Sequence, residues 1–360
     1  MAEAGAIRGF ATAEGTAGYR ARRGARAGEG HFRTWQGLTL SSLGIGTYLG
    51  AEDEATDRAY EAAVRRALEL GFNVVDSAIN YRRQRSERNV GAVLRALARE
   101  VRIAREDILI ATKGGFMPHP VDAYVKAGIV KPDEVVGAGH CIAPRYLADQ
   151  LDRSRTNLSV ETIDVYFVHN PETQLGAVDR ATFQARMRAA FEFLESAVRD
   201  GKIRWYGVAT WTGLRQPATA RDHLSLPVLV GLAREVAGDG HHFGVIQLPY
   251  NLAMTEAITV ANQRVGAALI PAIQAAEQLG LYVMTSASIL QGKLSRNLPP
   301  ALAQVLDGLR TDAQRALQFV RSTPGVGTAL CGMRSLAHVE ENAGLVSMPP
   351  VPSERLFSRA

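Results

Sequence analysis

Four residues in the first half of the chain, Asp76, Tyr81, Lys113 and His169, are of the types that together reduce a carbonyl group. A tyrosine of ordinary pKa near about 10 is a poor acid at neutral pH, but a neighbouring cation that stabilises the phenolate makes it serviceable. Lys113 supplies the cation. It ends the run ILIAT, where burial of an ammonium is costly unless it is paired. Asp76 is the pairing carboxylate, and His169 can donate a hydrogen bond to a carbonyl oxygen. The chemistry is hydride arrival at the carbonyl carbon with protonation of the oxygen by Tyr81, and it calls for no metal. A lyase or isomerase using Lys113 as a Schiff-base amine is a second use of the same lysine. A carboxylate that keeps Lys113 charged opposes it.

For these four to meet, the elements carrying them must end at one place. Strand FNVVD (72–76) ends in Asp76, DILIAT (107–112) runs into Lys113 and DVYFVH (164–169) ends in His169, each followed by a helical pattern. Before them, FRTWQGLTLSSLGIGTYLG reads as a hairpin and a first buried strand ending near Thr47, then a helix over 55–70 stopped by Gly71. The helix after 164–169 carries Phe183, Met187, Phe191, Leu194 and Val198 on one face and closes at Gly201. Strands RWYGVAT (204–210) and GVIQL (244–248), a helix near 261–279, strand LYVMTS (281–286), a helix near 312–321, strand GTALC (327–331) and a final helix complete the series.

Eight strand–helix units predict a closed (β/α)8 TIM barrel, an α/β fold whose strand C-termini share one mouth. A doubly wound sheet is the competitor, on Gly44-Ile45-Gly46 with Gly50 and on Asp76 as a ribose ligand. It leaves Lys113 and His169 without a shared task. The domain reading is a flexible Gly/Ala/Arg-rich leader over 1–30, the barrel over 31–348 and a tail over 349–360.

Composition excludes other classes. With 46% hydrophobic and 21% charged residues, the chain builds a large core, so disorder is excluded. The net charge of +5 is spread without a basic block, so no nucleic-acid partner is expected. Cys141 and Cys331 form no spaced pair, and His119, His140 and Cys141 lack metal-ligand spacing. The first residues lack a continuous apolar stretch, and no run approaches the roughly 18 residues of a membrane span, so a cytoplasmic protein is expected.

The motifs resemble those of the aldo-keto reductase superfamily from about Phe32 to about Ser347. GIGTY (44–48) is similar to the family's first-strand GxGTY, and DSAINY (76–81) to its D-x-A-x-x-Y, with Ser86, Glu87 and Gly91 following. IATKGG (110–115) and YFVHNPE (166–172) resemble the segments around the family's Lys and His. The resemblance implies Asp76, Tyr81, Lys113 and His169 as a tetrad working with NADPH or NADH. It further implies nucleotide contacts from Gly46, Thr47, Asn170, Thr210, Gln247 in VIQLPYN, and Ser286, Ser288, Gln291 and Gly292 in SASILQGKL. In CGMRSLAHVEEN (331–342), Arg334 and Ser335 would hold a 2′-phosphate, favouring NADP(H) over NAD(H), with His338, Glu341 and Asn342 near the adenine. Tyr48 and Trp211 would meet substrate.

Three departures from the pattern stand out. Ser286 takes the place of the aromatic that stacks on the nicotinamide, and Ala209-Thr210 that of a Ser-Asn pair; Trp211 and Tyr206 are the aromatics available to compensate. Loops are long after strands 3 and 5: 117–145, expected to shape a pocket for a sugar-like or polycyclic carbonyl, and 214–243, expected as a lid. A nucleotide-binding sensor or accessory subunit with little turnover is the rival to a reductase.

Overall fold

In the computed structural model, which describes residues 5–100 and 102–357, eight parallel strands close on one another in chain order. They are Leu43–Gly46, Val74–Asp76, Leu109–Gly114, Ile163–His169, Ile203–Ala209, Phe243–Pro249, Tyr282–Ser286 and Val326–Gly332. The eighth returns to the first with Gly332 opposite Gly46. Alternation along each strand sorts its side chains: Val74, Leu109, Val165, Phe167, Val245 and Met284 fill the interior, while Val75, Ile110, Val168 and Ile246 face the helices. Both faces are buried, which explains why these strands read as nearly continuous apolar runs.

The N-terminal end of the barrel is plugged. Phe32–Trp35 and Leu38–Ser41 form an antiparallel hairpin, and its Trp35 ring lies 4.8 Å from that of Trp205 and 5.2 Å from that of Tyr282. The segment before the hairpin, expected to be flexible as far as residue 30, is instead part of the fold where it is described. Ala13–Arg23 is a helix whose N-cap Thr12 side chain accepts from the Gly15 amide. Its Tyr19 is fully buried and donates to the Leu68 and Phe72 carbonyls at 2.5 and 3.0 Å. Ala11 N donates to Asp164 at 2.7 Å, and the same buried carboxylate pairs with Arg105 at 2.6 Å. Residues 1–4 of the expected leader lie outside the described residues. The expected tail packs as well, with Gln318 donating to the Pro349 carbonyl and Val351 N to Ser322; its last three positions, 358–360, lie outside the described residues.

Two outer elements differ from expectation. The helix read over 261–279 is a hairpin, Ala261–Val265 with Ala268–Pro271, followed by the short helix Ala272–Gln278. Gly266 turns the hairpin at φ 59°, and Pro271, which cannot sit inside a helix, stands at the helix entrance. The stretch 214–243 contains the helix Leu226–Ala237, capped by Ser225 and buried through Leu226, Leu229, Val230, Leu232 and Ala233. It is an outer barrel helix rather than a lid. The insert 117–145 folds on itself, with Tyr124, Val130, Cys141 and Tyr146 as a small separate core.

Because Tyr19 ties the N-terminal helix to the barrel through both packing and a hydrogen bond, Tyr19→Ala should lower unfolding free energy by about 3–5 kcal/mol. Urea denaturation measures this, and a wild-type midpoint would mean that the helix is dispensable.

Candidate active site

The parity that turns Val74, Leu109, Val165 and Val245 inward also turns Asp76, Lys113, His169 and Gln247 inward at the strands' C-terminal ends. Lys113 Nζ lies 2.8 and 2.7 Å from the two Asp76 carboxylate oxygens and donates to the Ser77 carbonyl at 2.8 Å. Gln247 Nε2 donates to the same carboxylate at 2.8 Å, while Thr47 Oγ1 donates to the Asp76 carbonyl at 3.1 Å. Tyr81 leaves the sheet on the next loop and sits above the pair, its ring centroid 5.0 Å from Lys113 Nζ. The rings of His169 and Tyr48 lie 6.0 and 4.8 Å from that of Tyr81. The sequence-predicted four are therefore in one place.

Burial sets the protonation states. It raises Tyr81 well above its ordinary value, and the nearby Asp76 charge adds to this, so Tyr81 is a phenol holding its proton. In the resting site desolvation and the carboxylate set the state of the tyrosine. Burial pushes Lys113 down as well, opposed by Asp76. His169 is held well below the usual histidine range by burial and by Lys113, hence neutral and able to donate one N–H.

Above these residues opens a cavity of about 420 Å³ walled by Tyr48, Asn80, Phe116, Asn170, Thr210 and Trp211. Trp211 and Tyr48 remain 43% and 52% exposed, so their faces are free for a ligand. Trp211 is placed by buried Glu172, whose Oε1 accepts from the amides of Trp211, Thr212 and Gly213 at 2.6, 3.0 and 3.3 Å. Tyr206, the other aromatic expected to compensate for Ser286, lies elsewhere, packed against Phe191 and Phe243 in the layer facing the helices. Phe116, immediately before the long insert, lines the cavity, but no residue of 117–145 is in its lining, so the insert does not wall it as expected.

The cavity continues into a groove of about 1270 Å³ over the eighth and first strands, sharing Tyr48, Ala287, Gln291, Leu330 and Gly332 with it. Every remaining nucleotide residue expected from the sequence borders one of the two: Gly46, Thr47, Asn170, Thr210, Gln247 and Ser286 the cavity, and Ser288, Gly292, Arg334, Ser335, His338, Glu341 and Asn342 the groove. Gly46 and Gly332 form a floor without side chains, and a Cβ on either would stand in open space beyond its ordinary contacts. Lys293, Arg296 and Arg334 give the groove three cations for which no ion pair occurs among the described residues, against the single carboxylate of Glu341. Asn342 Oδ1 is buried and has no hydrogen-bond partner among the described residues, although its Nδ2 donates to Met333 Sδ at 3.3 Å. An extended polyanion with an N–H donor at one end fits these features.

Sequence reasoning did not single out Asn80, Phe116, Lys293 and Arg296 as site residues. Lys293 stood inside a recognised motif and was legible; Phe116 and Asn80 become wall residues only through tertiary placement.

A model of the Aldo/keto reductase family matches residues 42–356, and the chain belongs to that family of oxidoreductases. It is similar to L-galactose dehydrogenase of Arabidopsis thaliana, 23% identical over 333 residues and 86% of each chain. It is also similar to 6-dehydroglucose reductase of Novosphingobium aromaticivorans, 28% identical over 183 residues and 49% of each. Among solved structures, an aldo/keto reductase from Klebsiella pneumoniae in complex with NADP and acetate superposes with a TM-score of 0.60 at 21% identity, covering 89% of this chain and 90% of that one. The holo form of an aldo-keto reductase from Bacillus halodurans gives 0.62 at 21%, over 90% and 93%.

Buried histidines make the fold acid-sensitive. Burial lowers His31, at the plugged end, and His140 to about 4, and holds His169 well below the usual histidine range. Below the ordinary value near about 6.5 the unfolded chain binds protons that the folded chain refuses, so stability falls with falling pH by up to about 1.4 kcal/mol per pH unit for each histidine. His31→Gln should flatten the fall between pH 6.5 and 4.5 by close to one proton. Unfolding free energies across that range measure it, and an unchanged slope would refute the assignment.

Proposed function

We propose that this protein is an NADP(H)-dependent carbonyl reductase, with Tyr81 as the general acid, acting on an uncharged carbonyl compound that offers a flat face. The observation that carries the reading is the charged Lys113–Asp76 pair directly beneath a protonated Tyr81, with a neutral His169 beside it. When bound, a reduced nicotinamide dinucleotide supplies the hydride. The amides of Asn170 and Gln247 would hold its carboxamide, and Lys293, Arg296, Arg334 and Ser335 its phosphates.

His169 donates a hydrogen bond to the carbonyl oxygen and draws it toward Tyr81, whose proton passes to that oxygen as negative charge develops there. The Lys113 ammonium, 5.0 Å from the ring, then stabilises the phenolate left behind. Asp76 keeps Lys113 in place and charged throughout. Trp211 and Tyr48 offer open aromatic faces, and the cavity wall holds amides and hydroxyls but no cation outside the buried pair, which supports a neutral sugar-like or polycyclic carbonyl over a carboxylated or phosphorylated one.

Tyr81→Phe should lower kcat for such a carbonyl by about 10²–10⁴-fold while leaving dinucleotide binding in place. Stopped-flow absorbance with a matched pair of neutral and phosphorylated aldehydes checks acid and substrate class together; undiminished turnover in the variant would remove Tyr81 from the mechanism. A wild-type protein that binds dinucleotide yet oxidises none would instead favour a sensor or accessory subunit. Arg334→Ala should weaken NADPH about tenfold or more and NADH much less, as loss of one charge-assisted phosphate contact requires. Equal weakening of the two in a fluorescence titration would leave the 2′-phosphate contact without support.

A further inference from the structure

His169 is poorly held by its own ring. Its Nδ1 is buried and has no hydrogen-bond partner among the described residues, so no side chain fixes the imidazole in the way that a carboxylate or carbonyl commonly orients a working histidine. What remains is the main chain and packing. On one side the main chain is held by the fifth strand, with His169 opposite Ala209 and Asn170 N donating to the Ala209 carbonyl at 2.6 Å; on the other, pairing with the third strand stops with Gly114 opposite Val168, and the His169 carbonyl faces away from that ladder.

The long insert and the residue just before it restrain the open side. Phe116 at its root sets its ring edge-on to His169 at 5.2 Å and to His140 at 4.8 Å. His140, near its far end and 1% exposed, places Nε2 2.7 Å from the His169 carbonyl oxygen. The bond runs through a gap that only glycine leaves: a Cβ on Gly115, whose φ is +150°, would lie 2.8 Å from that oxygen and 3.1 Å from His140 Nε2.

The direction of this bond follows from a residue two steps away. Arg186, on the helix Arg180–Arg199, donates to Gln174 Oε1, and an arginine has no acceptor, so the oxygen of the Gln174 amide must face it. Gln174 Nε2 therefore faces His140 Nδ1, at 2.8 Å, as a donor. His140 Nδ1 must accept, so the proton of the neutral ring sits on Nε2 and is donated to the His169 carbonyl. Arg186 also donates to the insert through the Asp133 carbonyl at 3.0 Å, which closes the circuit.

We infer that His140 is a positioning residue for His169, its tautomer fixed by Arg186 through Gln174, and that the insert serves to aim the histidine that polarises the substrate carbonyl. This rests on the role given to His169 in the proposed reduction. His140→Leu removes the donor, and His140→Gln keeps an N–H near the Nε2 position. The expected result is a loss of about 10²-fold in kcat for His140→Leu with dinucleotide Kd unchanged within experimental error, and recovery of most of that loss in His140→Gln. Unchanged kcat in His140→Leu, or equal losses in both variants, would overturn the inference, the latter because packing alone would explain it.

A measurement on the wild-type full chain guards against a variant that fails to fold. Two-bond ¹H–¹⁵N correlation with ¹⁵N-labelled histidine should show His140 neutral, protonated on Nε2 and slow to exchange. The Nδ1–H tautomer would overturn the inference whatever the variants do. Absence of carbonyl turnover in the wild type would count against the proposed reaction, whereas the tautomer reports on His140 alone, so the two failures are separable.

Discussion

An ammonium and a carboxylate 2.7 Å apart, with side chains 1% and 6% exposed, hold the centre of the barrel mouth. Neither would keep its charge there alone, since burial of an unpaired ion costs more than the fold can supply. Removing one partner from such a pair typically costs about 3–5 kcal/mol, because the survivor is stranded. The neighbouring groups answer to this constraint: the Ser77 carbonyl takes a further ammonium proton, Gln247 takes a carboxylate lone pair and Thr47 ties down the Asp76 main chain. Beyond Lys113, Glu87 is buried as well, its carboxyl accepting from Thr112 and Asn157. The position of Tyr81 then has meaning only because a fixed positive charge lies beneath its ring.

The barrel was legible because strand and helix signals alternate eight times, and the four residues at the mouth because they fall where strands end. Parity did the rest: a residue two places beyond an inward valine is itself inward. The failures have local causes. In Ala13–Arg23 only Thr16 and Tyr19 are buried, so a Gly/Ala/Arg composition concealed a helix that docks through a single aromatic. The 261–271 hairpin carried its own warning in Gly266 and Pro271, which no continuous helix would accommodate. Leu226–Ala237 was hidden by a run of apolar residues on all sides, although Ser225 and Pro227 mark its start.

The insert shows a different limit. Its length was plain, and His140 was noticed, but only as a metal ligand that its adjacency to Cys141 argued against. The actual partner of His140 is a main-chain carbonyl 29 residues on, reached only once the strand ends are in register. No spacing rule encodes such a contact. Glu172 is similar: it reads as a charge following the histidine motif, and only the fold shows it collecting three amides from the loop that carries Trp211.

The side-chain-free floor between Gly46 and Gly332 has a consequence for the kinds of mutation the protein can carry. An added methyl at Gly46 would meet nothing nearer than 3.7 Å, and one at Gly332 nothing nearer than 3.9 Å, so neither substitution threatens the barrel. The methyl would instead occupy the path of whatever lies along the groove. Alanine at these positions separates foldability from fitness: such variants would accumulate to normal abundance and escape cellular quality control, yet compete as inert copies. At Gly207, where an added Cβ would lie 1.7 Å from the Val245 carbonyl oxygen, the same change would be eliminated as misfolded. One barrel thus holds two kinds of glycine, one whose replacement would be felt in protein level and one whose replacement would be felt in occupancy of the groove.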